Sequence, residues 1–576
     1  VADDQDNNTH IKDAETICNN VAAAHPVYNY DKIYLDAYQQ VAVPGGQRYP
    51  DVNTAIANRV SAGCLIMNYI GHGGVGGWAH ERILGTTDVQ NYTNLDKLIL
   101  YVTATCDFTQ YDNPPIPSAG EFLLLNANGG AIGLVTTVRL VYSSANKEMN
   151  SAFMSAVLQP DANGIIPPLG EVYRRGKNAS KADAANNRKF TLVGDPAVTL
   201  AYPTYTVVTT SINGEDVNLG SDTLKALQKV TVSGTVNNLD GTVMTGFNGT
   251  LYPTVFDKSV SYQTLANDND SQVKSFNLQK NVIYNGKASV KNGLFSFSFI
   301  VPKDISYQFG YGKLSYYAEN GTIDAHGYKG DVVIGGINDS AAIDVDGPLV
   351  KVYMNDEKFV SGGITDANPT VLVRISDTSG VNTVGTGIGH DITGVLDDDT
   401  KNTFVMNNFY SSDLDSYSSG EVRYPLSSLS EGLHRIEVKA WDVYNNSAEG
   451  FTEFIVASSA EMALSHVFNY PNPFTTNTEF MFEHNMPAQM LDVLVQIYTV
   501  SGKLIKTIQQ TIIPESTGSS GEKITGEGGY RVNGIFWDGK DDYGDNIGKG
   551  VYVYKLTVKA GNGLSAETFQ KLVVLK

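Results

Sequence analysis

The chain has 576 residues, and its 41 Lys and Arg against 61 Asp and Glu leave a formal net charge of −20. At roughly 150 residues per domain the length predicts about four domains, and so acidic a balance argues against a nucleic-acid partner, which needs clustered basic side chains. A hydrophobic fraction of 42% supplies ordinary cores and excludes disorder over most of the length. The 56 glycines and 32 tyrosines favour turn-rich β architecture, and no stretch approaches the roughly 20 apolar residues of a membrane helix.

In chain order, Val1-Ala2 reads as the end of a strand entering the acidic turn Asp3-Asp4-Gln5-Asp6. With no Met and no leader before it, the chain is expected to be an excised piece whose upstream half is missing. Residues 10–24 are predicted helical, with Ile11, Ala14, Cys18 and Val21 on one stripe. Residues 32–35 read as a short strand and 52–62 as a second amphipathic helix. Three unalternating apolar runs follow, at 64–70, 97–105 and 130–136, with a helix at 120–127 before the last. Runs of that kind belong to central strands of a parallel sheet covered on both faces. After Pro203 the pattern alternates, as in 230–236, 294–299, 371–375 and 435–442, which predicts half-buried strands of immunoglobulin-like sandwiches. The fold class is therefore multidomain α/β plus all-β: an α/β unit at 1–202, a β-sandwich at 203–345, an immunoglobulin-like β-sandwich at 346–458 and a C-terminal β-sandwich at 459–576. A Gly/Ser-rich insertion at 515–529 is predicted to be a mobile loop.

The chemistry concentrates in the α/β unit. One predicted strand runs into Gly71-His72-Gly73-Gly74 and the next into Cys106-Asp107. The carboxyl ends of neighbouring parallel strands converge on one crevice, so an imidazole and a thiol are delivered together, as nucleophilic catalysis by sulfur requires. The glycines after His72 allow close backbone approach and supply N–H groups for an oxyanion. The plainer alternative is a Cys buried as a small hydrophobe beside an ordinary turn. Cys18 and Cys64 read as core, and three cysteines cannot make a disulfide framework. The cluster Asp3, Asp4, Asp6, Asn7, Asn8 offers oxygen ligands for calcium but lacks the spacing of an EF-hand loop. A solvated acidic turn is expected there, with no metal or other cofactor. Arg139, after the third strand, lines the cleft or lies on the surface.

Several short motifs occur in order: Asn68-Tyr69-Ile70-Gly71-His72-Gly73, Trp78, Gly85-Thr86-Thr87-Asp88-Val89, Ala104-Thr105-Cys106 and, later, residues 190–197. Together they resemble the gingipain family of cysteine peptidases, which has a caspase-like fold. The resemblance implies that Cys106 is the nucleophile and His72 the general base, with an oxyanion hole from the N–H groups of Gly73 and Cys106. It also implies an upstream acidic residue that orients the histidine, for which Asp3 is the closest positional match and Asp4 the alternative.

The last unit opens on Asn469-Tyr470-Pro471-Asn472-Pro473-Phe474 and carries Trp537-Asp538-Gly539-Lys540-Asp541 and the ending 571–576. It resembles the C-terminal signal domain that sends cargo through the type IX secretion system to a bacterial outer surface. A gingipain-like peptidase with such a tail fits the sortase of that system, which removes cargo tails and keeps its own. It also fits a secreted endopeptidase that is itself a cargo. The sortase reading implies cargo proteins with signal domains as substrates, anionic lipopolysaccharide as acceptor, and an outer-membrane β-barrel as docking partner. A non-catalytic surface adhesin on a peptidase scaffold is the third reading, and keeping both Cys106 and His72 counts against it.

Overall fold

Strands that carry apolar side chains on both faces need cover on both faces, and the computed structural model supplies it. The model describes residues 1–161, 164–220, 223–269, 271–384, 389–401, 403–456, 464–484, 490–512, 530–561 and 563–575. The first sheet contains β1 (Ile66–Ile70), β2 (Ile99–Ala104), β3 (Ala131–Thr137) and β4 (Phe190–Gly194), in that spatial order. The first three are parallel and β4 is antiparallel to β3. All six residues of β2 are buried, as its central place demands.

The helices are α1 (Gln5–Ala24), α2 (Pro50–Ala62), α3 (Ala119–Leu125), α4 (Ser143–Val157) and α5 (Leu169–Ala179). Alternate β2 residues Leu100, Val102 and Ala104 face α1, α4 and α5 through Ile17, Phe153 and Val172. Ile99 and Tyr101 face α2 and α3 through Ile56 and Leu123. Val1–Asp3 joins the same sheet. Ala2 bridges Ile70 on one side and Tyr34 on the other, both in parallel, and the Asp3 N–H donates to the Ile70 carbonyl at 3.2 Å. The strand expected at 32–35 is only that bridge, followed by a 3₁₀ turn at Leu35–Ala37.

The next strands depart from the expected sandwich. Ten strands between Tyr205 and Ile337 form one sheet. Tyr205–Ile212 pairs with Lys229–Asn237 and also, in parallel, with Asp324–Ile337. The path therefore returns on itself around a core that includes Phe247, Phe299 and Tyr316. Period-two patterning reports which face a residue occupies, and it is the same for a closed sheet as for two facing ones. Further along, a four-stranded and a five-stranded sheet share a core of Val373, Val422, Ile436 and Phe454. The last unit packs three strands on four around Phe480, Ile497, Trp537 and Tyr554. The 515–529 insertion lies outside the described residues.

One hairpin leaves the closed sheet and grips the α/β unit. Its strands Val260–Gln263 and Ser275–Leu278 pair antiparallel. Phe276 enters the α1-side core, edge-on to Tyr34 with ring centroids 4.9 Å apart. At the tip, the Asn267 N–H donates to Asp36 Oδ1 and the Gln272 N–H to Asn8 Oδ1, each at 2.8 Å. Lys32 Nζ donates to the Asn277 carbonyl, also at 2.8 Å. Phe276→Ala is expected to weaken the α/β unit by about 3–5 kcal/mol, the usual cost of an emptied aromatic site. Urea unfolding of the full chain measures it, and a change below about 1 kcal/mol would mean the hairpin merely rests on the surface.

Candidate active site

The register between β1 and β2 builds the site. Ile70 is paired with Ala104, and the Gly71 N–H continues the ladder to the Ala104 carbonyl at 3.3 Å. His72 and Cys106 each lie two residues beyond those partners, so parallel pairing sets them side by side on neighbouring strand ends. Adjacent strands are about 4.8 Å apart, which places the two residues on neighbouring strand ends.

The His72 backbone is held on both sides. Its N–H donates to Asp3 Oδ2 at 2.7 Å, and its carbonyl accepts from the Tyr69 hydroxyl at 2.6 Å and the Ala79 N–H at 2.9 Å. Tyr69 is itself fixed, stacked on Trp78 at 4.4 Å and 8° between planes. The Ala79 contact exists because the chain turns back on itself through a small hairpin, with Gly73 opposite Trp78 and Gly74 opposite Gly77. Glycine is required in this loop for space. A Cβ on Gly71 would sit 2.3 Å from the Asp3 Cβ, and one on Gly73 would sit 2.6 Å from Thr105 Oγ1.

The imidazole has different neighbours from its backbone. Nε2 lies 3.1 Å from Asp6 Oδ2, His80 stacks on the ring at 5.4 Å, and His10 meets it edge-on at 5.2 Å. Burial holds the His10 ring below its ordinary pKa, against the opposing charges of Asp3 and Asp6. Asp3, expected to orient the imidazole, instead holds the peptide N–H, and the carboxylate on the ring belongs to Asp6. Asp4, the alternative, faces away and accepts from the Tyr49 hydroxyl. Asp6 reaches the ring because Asp6, Asn7 and Asn8 take left-handed backbone angles before the regular helix begins, a conformation Asp and Asn tolerate better than most residues.

The Cys106 thiol is half-buried and rests on another segment. Sγ accepts from the Val141 N–H at 3.4 Å and donates to the Val141 carbonyl at 3.5 Å. It makes no hydrogen bond to His72. Among the described residues nothing accepts from the Cys106 N–H. Cys18 and Cys64 are half-buried too, and burial pushes the Cys64 thiol up to about 11 and the Cys18 thiol above its ordinary value. Arg139 makes a two-pronged ion pair with Asp112, both well exposed, with Nη1 to Oδ1 at 2.9 Å.

The model of peptidase family C25 matches residues 1–201. That match covers the α/β unit and none of the β-sheet units after it. The chain is similar to dimeric latent PorU from Porphyromonas gingivalis, at 29% identity over 78% of this chain and 41% of that one, with a TM-score of 0.31. It is also similar to the Arg-specific cysteine proteinase gingipain R, at 17% identity over 57% of this chain and 62% of that one, with a TM-score of 0.29. The chain thus spans less than half the length of the PorU chain it matches. No curated protein matches it.

The acidic turn of the α/β unit is not solvated. Asp3, Asp4 and Asn8 are each fully buried, and only Asp6 and Asn7 reach the surface. Glu81, arriving from the loop after Trp78, is 2% exposed beside them. Burial, opposed by the Tyr49 hydroxyl and reinforced by the charges of Asp3 and Glu81, pushes the Asp4 carboxyl well above the usual carboxylate range. Burial likewise raises Glu81. Sequence reasoning missed Glu81, His80 and His10 as neighbours of the site. The run Gly73-Gly74-Val75-Gly76-Gly77-Trp78, with glycine pairs flanking a tight reversal, was the available signal that residues 79–81 return past His72. Gly71→Ala is expected to cost about 1–3 kcal/mol by overpacking against Asp3 and Tyr69. Denaturant unfolding reads this, and an unchanged midpoint would show that the loop yields freely.

Proposed function

We propose that the chain cleaves peptide bonds through a Cys106 thioester, and that its substrate bond joins a secreted protein to a C-terminal signal domain. The observation that carries the catalytic reading is the in-register delivery of His72 and Cys106 by two parallel strands. In the first step the thiol proton passes to the imidazole nitrogen that does not face Asp6, and sulfur bonds to the scissile carbonyl carbon. The carbonyl π pair moves to oxygen, toward the Gly73 and Cys106 N–H groups. Collapse re-forms the carbonyl and breaks the C–N bond, and the departing amine takes the proton back from the imidazolium. Asp6, 3.1 Å from Nε2, stabilises the positive ring in between. An amine or water then attacks the thioester and releases the thiol. For the thiol to engage, it must leave the Val141 backbone for His72, an adjustment typical of sites that tighten only around substrate.

The substrate reading rests on the resemblance of residues 459–576 to a type IX signal domain, and the fold of that unit is compatible with it. Phe474 of its opening motif bridges Val574 in the last strand, so motif and chain end are built into one sandwich. With the sortase reading come the outer surface as location, a β-barrel docking partner, and lipopolysaccharide amine as acceptor. No helix among the described residues is long and apolar enough to cross a membrane.

Mass spectrometry of surface cargo in cells with type IX secretion tests this. Cys106→Ala is expected to leave cargo with its signal domains attached and without lipopolysaccharide. Normal cargo with reduced general proteolysis would identify a secreted peptidase instead, and no change in either would leave the adhesin. In the purified chain, Asp6→Asn is expected to lower kcat/KM about 10²-fold with unfolding unchanged. Full activity in that variant would remove Asp6 from the mechanism.

A further inference from the structure

Beside His72 stands a second imidazole to which the peptidase chemistry gives no part. His10 is 4% exposed, and both its ring nitrogens are enclosed without a hydrogen-bond partner. A buried polar group left in that state is rare and calls for a reason. The edge-on packing of His10 against His72, at 5.2 Å and 87°, asks for a ring and not for nitrogen atoms. The acceptor closest to hand is the one that serves His72. Asp6 Oδ2 lies 3.1 Å from His72 Nε2 and 3.4 Å from His10 Nε2, so the two imidazoles flank one carboxylate oxygen. Asp3 and Asp13 also act on the His10 ring by charge. Asp13, however, is paired with Lys147 Nζ at 2.7 Å, and Asp3 Oδ2 is taken by the His72 N–H. The three partners are held unequally. The Asp6 side chain is 55% exposed and stands on a left-handed residue, whereas His10 is enclosed on every side.

We propose that His10 is a positioning residue whose Nε2–H holds Asp6 against His72 and so fixes which His72 nitrogen carries the proton. The inference rests on the catalytic reading given above. There the thiol proton arrives at the nitrogen that does not face Asp6, so neutral His72 must keep its own proton on Nε2. The tautomer of an imidazole is set by the hydrogen bond that one of its nitrogens makes, and Asp6 makes that bond at Nε2. A carboxylate half in water turns away readily, and each excursion lets the His72 proton move to the nitrogen that has to stay free. One carboxylate oxygen has lone pairs for two donors, so His10 can retain Asp6 without displacing His72. At 3.4 Å the His10 contact is long for a hydrogen bond. Contacts that orient a catalytic base commonly tighten only when substrate is bound. His80 stacks on the His72 ring at 5.4 Å and, among the described residues, makes no hydrogen bond to Asp6. The anchoring of Asp6 therefore falls to His10.

The first readout is the His72 tautomer, from nitrogen-15 NMR of the histidine-labelled full chain carrying Cys106→Ala, which makes it independent of activity. The chain has 9 histidines, few enough to assign by substitution. The expected parent signal is His72 protonated on Nε2. His10→Phe keeps the ring and loses the donor, and is expected to give a mixture of tautomers. His10→Gln, whose amide can donate to Asp6, is expected to return toward the parent. The second readout is kcat/KM of the chain with its thiol intact, on a secreted protein fused to a type IX signal domain. His10→Phe is expected to lose about tenfold. Added to Asp6→Asn it is expected to lose nothing further, because His10 acts only through Asp6. An unchanged tautomer in His10→Phe, or losses that add in the double variant, would overturn the proposal and leave His10 a packing residue. If His10→Phe does not fold, Asp6→Asn, at an exposed side chain, decides instead. The His10 Nε2 signal is then expected to move, and a signal that stays in place overturns the proposal. A parent chain that leaves the fusion uncut while its tautomer responds as expected would defeat the proposed function and support the positioning of Asp6 by His10.

Discussion

The hydrogen bond from the His72 N–H to Asp3 is the joint on which the active-site architecture depends. Asp3 can make it only because Val1–Asp3 is pinned in the sheet between Ile70 and Tyr34, one residue before the chain leaves for the acidic turn. The bond fixes the histidine's peptide and leaves its ring free to be chosen by other groups. A catalytic imidazole has to be oriented yet able to change charge. Backbone anchoring by Asp3, Tyr69 and Ala79 supplies the first without burdening the second.

The same joint explains why the site was legible in part. His72 and Cys106 could be read because each follows an unalternating apolar run, and parallel strands must put their carboxyl ends together. That is a property of local pattern plus one topological rule. The carboxylate on the imidazole could not be read the same way. Asp3, Asp4 and Asp6 are equivalent in composition, and the choice among them depends on three left-handed residues that no hydrophobic period encodes. The acidic turn looked solvated for a similar reason. Its cover comes from Glu81, 77 positions along from Asp4, and from Asn267, Ser271 and Gln272 of the hairpin, far beyond the reach of any local window. The closed path of the 205–337 sheet was invisible because period two records faces, not neighbours. The two later units each pack one sheet on another around a shared core, an arrangement with which the same period is compatible.

The hairpin makes the β region after the α/β unit more than a spacer. A spacer would touch the α/β unit at its end and nowhere else. Here Phe276 is part of the α1-side core, and Asn8 divides its side chain between Asp36 and the Gln272 backbone, at 2.9 and 2.8 Å. The left-handed turn that carries Asp6 to the imidazole is therefore held from outside by a segment of the next unit. A strained turn persists only where its surroundings over-determine it, and these contacts are that surrounding. The α/β unit cut off near residue 202 would lose both the aromatic plug and the clamp on Asn8.

Thiol and imidazole are held by opposite means, and the asymmetry has a chemical sense. The histidine is fixed through its backbone at three points, while the cysteine is tied through Sγ to Val141 alone, by two sulfur contacts of 3.4 and 3.5 Å. Contacts of that length to sulfur are weak, so turning the thiol toward His72 costs little, whereas moving His72 would break strong bonds to Asp3 and Tyr69. The more loosely held of the two is thus the thiol. Residues 138–142, which hold it, also present Leu140 and Tyr142 exposed at 53% and 64%. A chain laid against those side chains would press on the segment that retains the thiol. Contact with that surface would in this way loosen the hold of Val141 on Cys106 and leave the His72 backbone fixed.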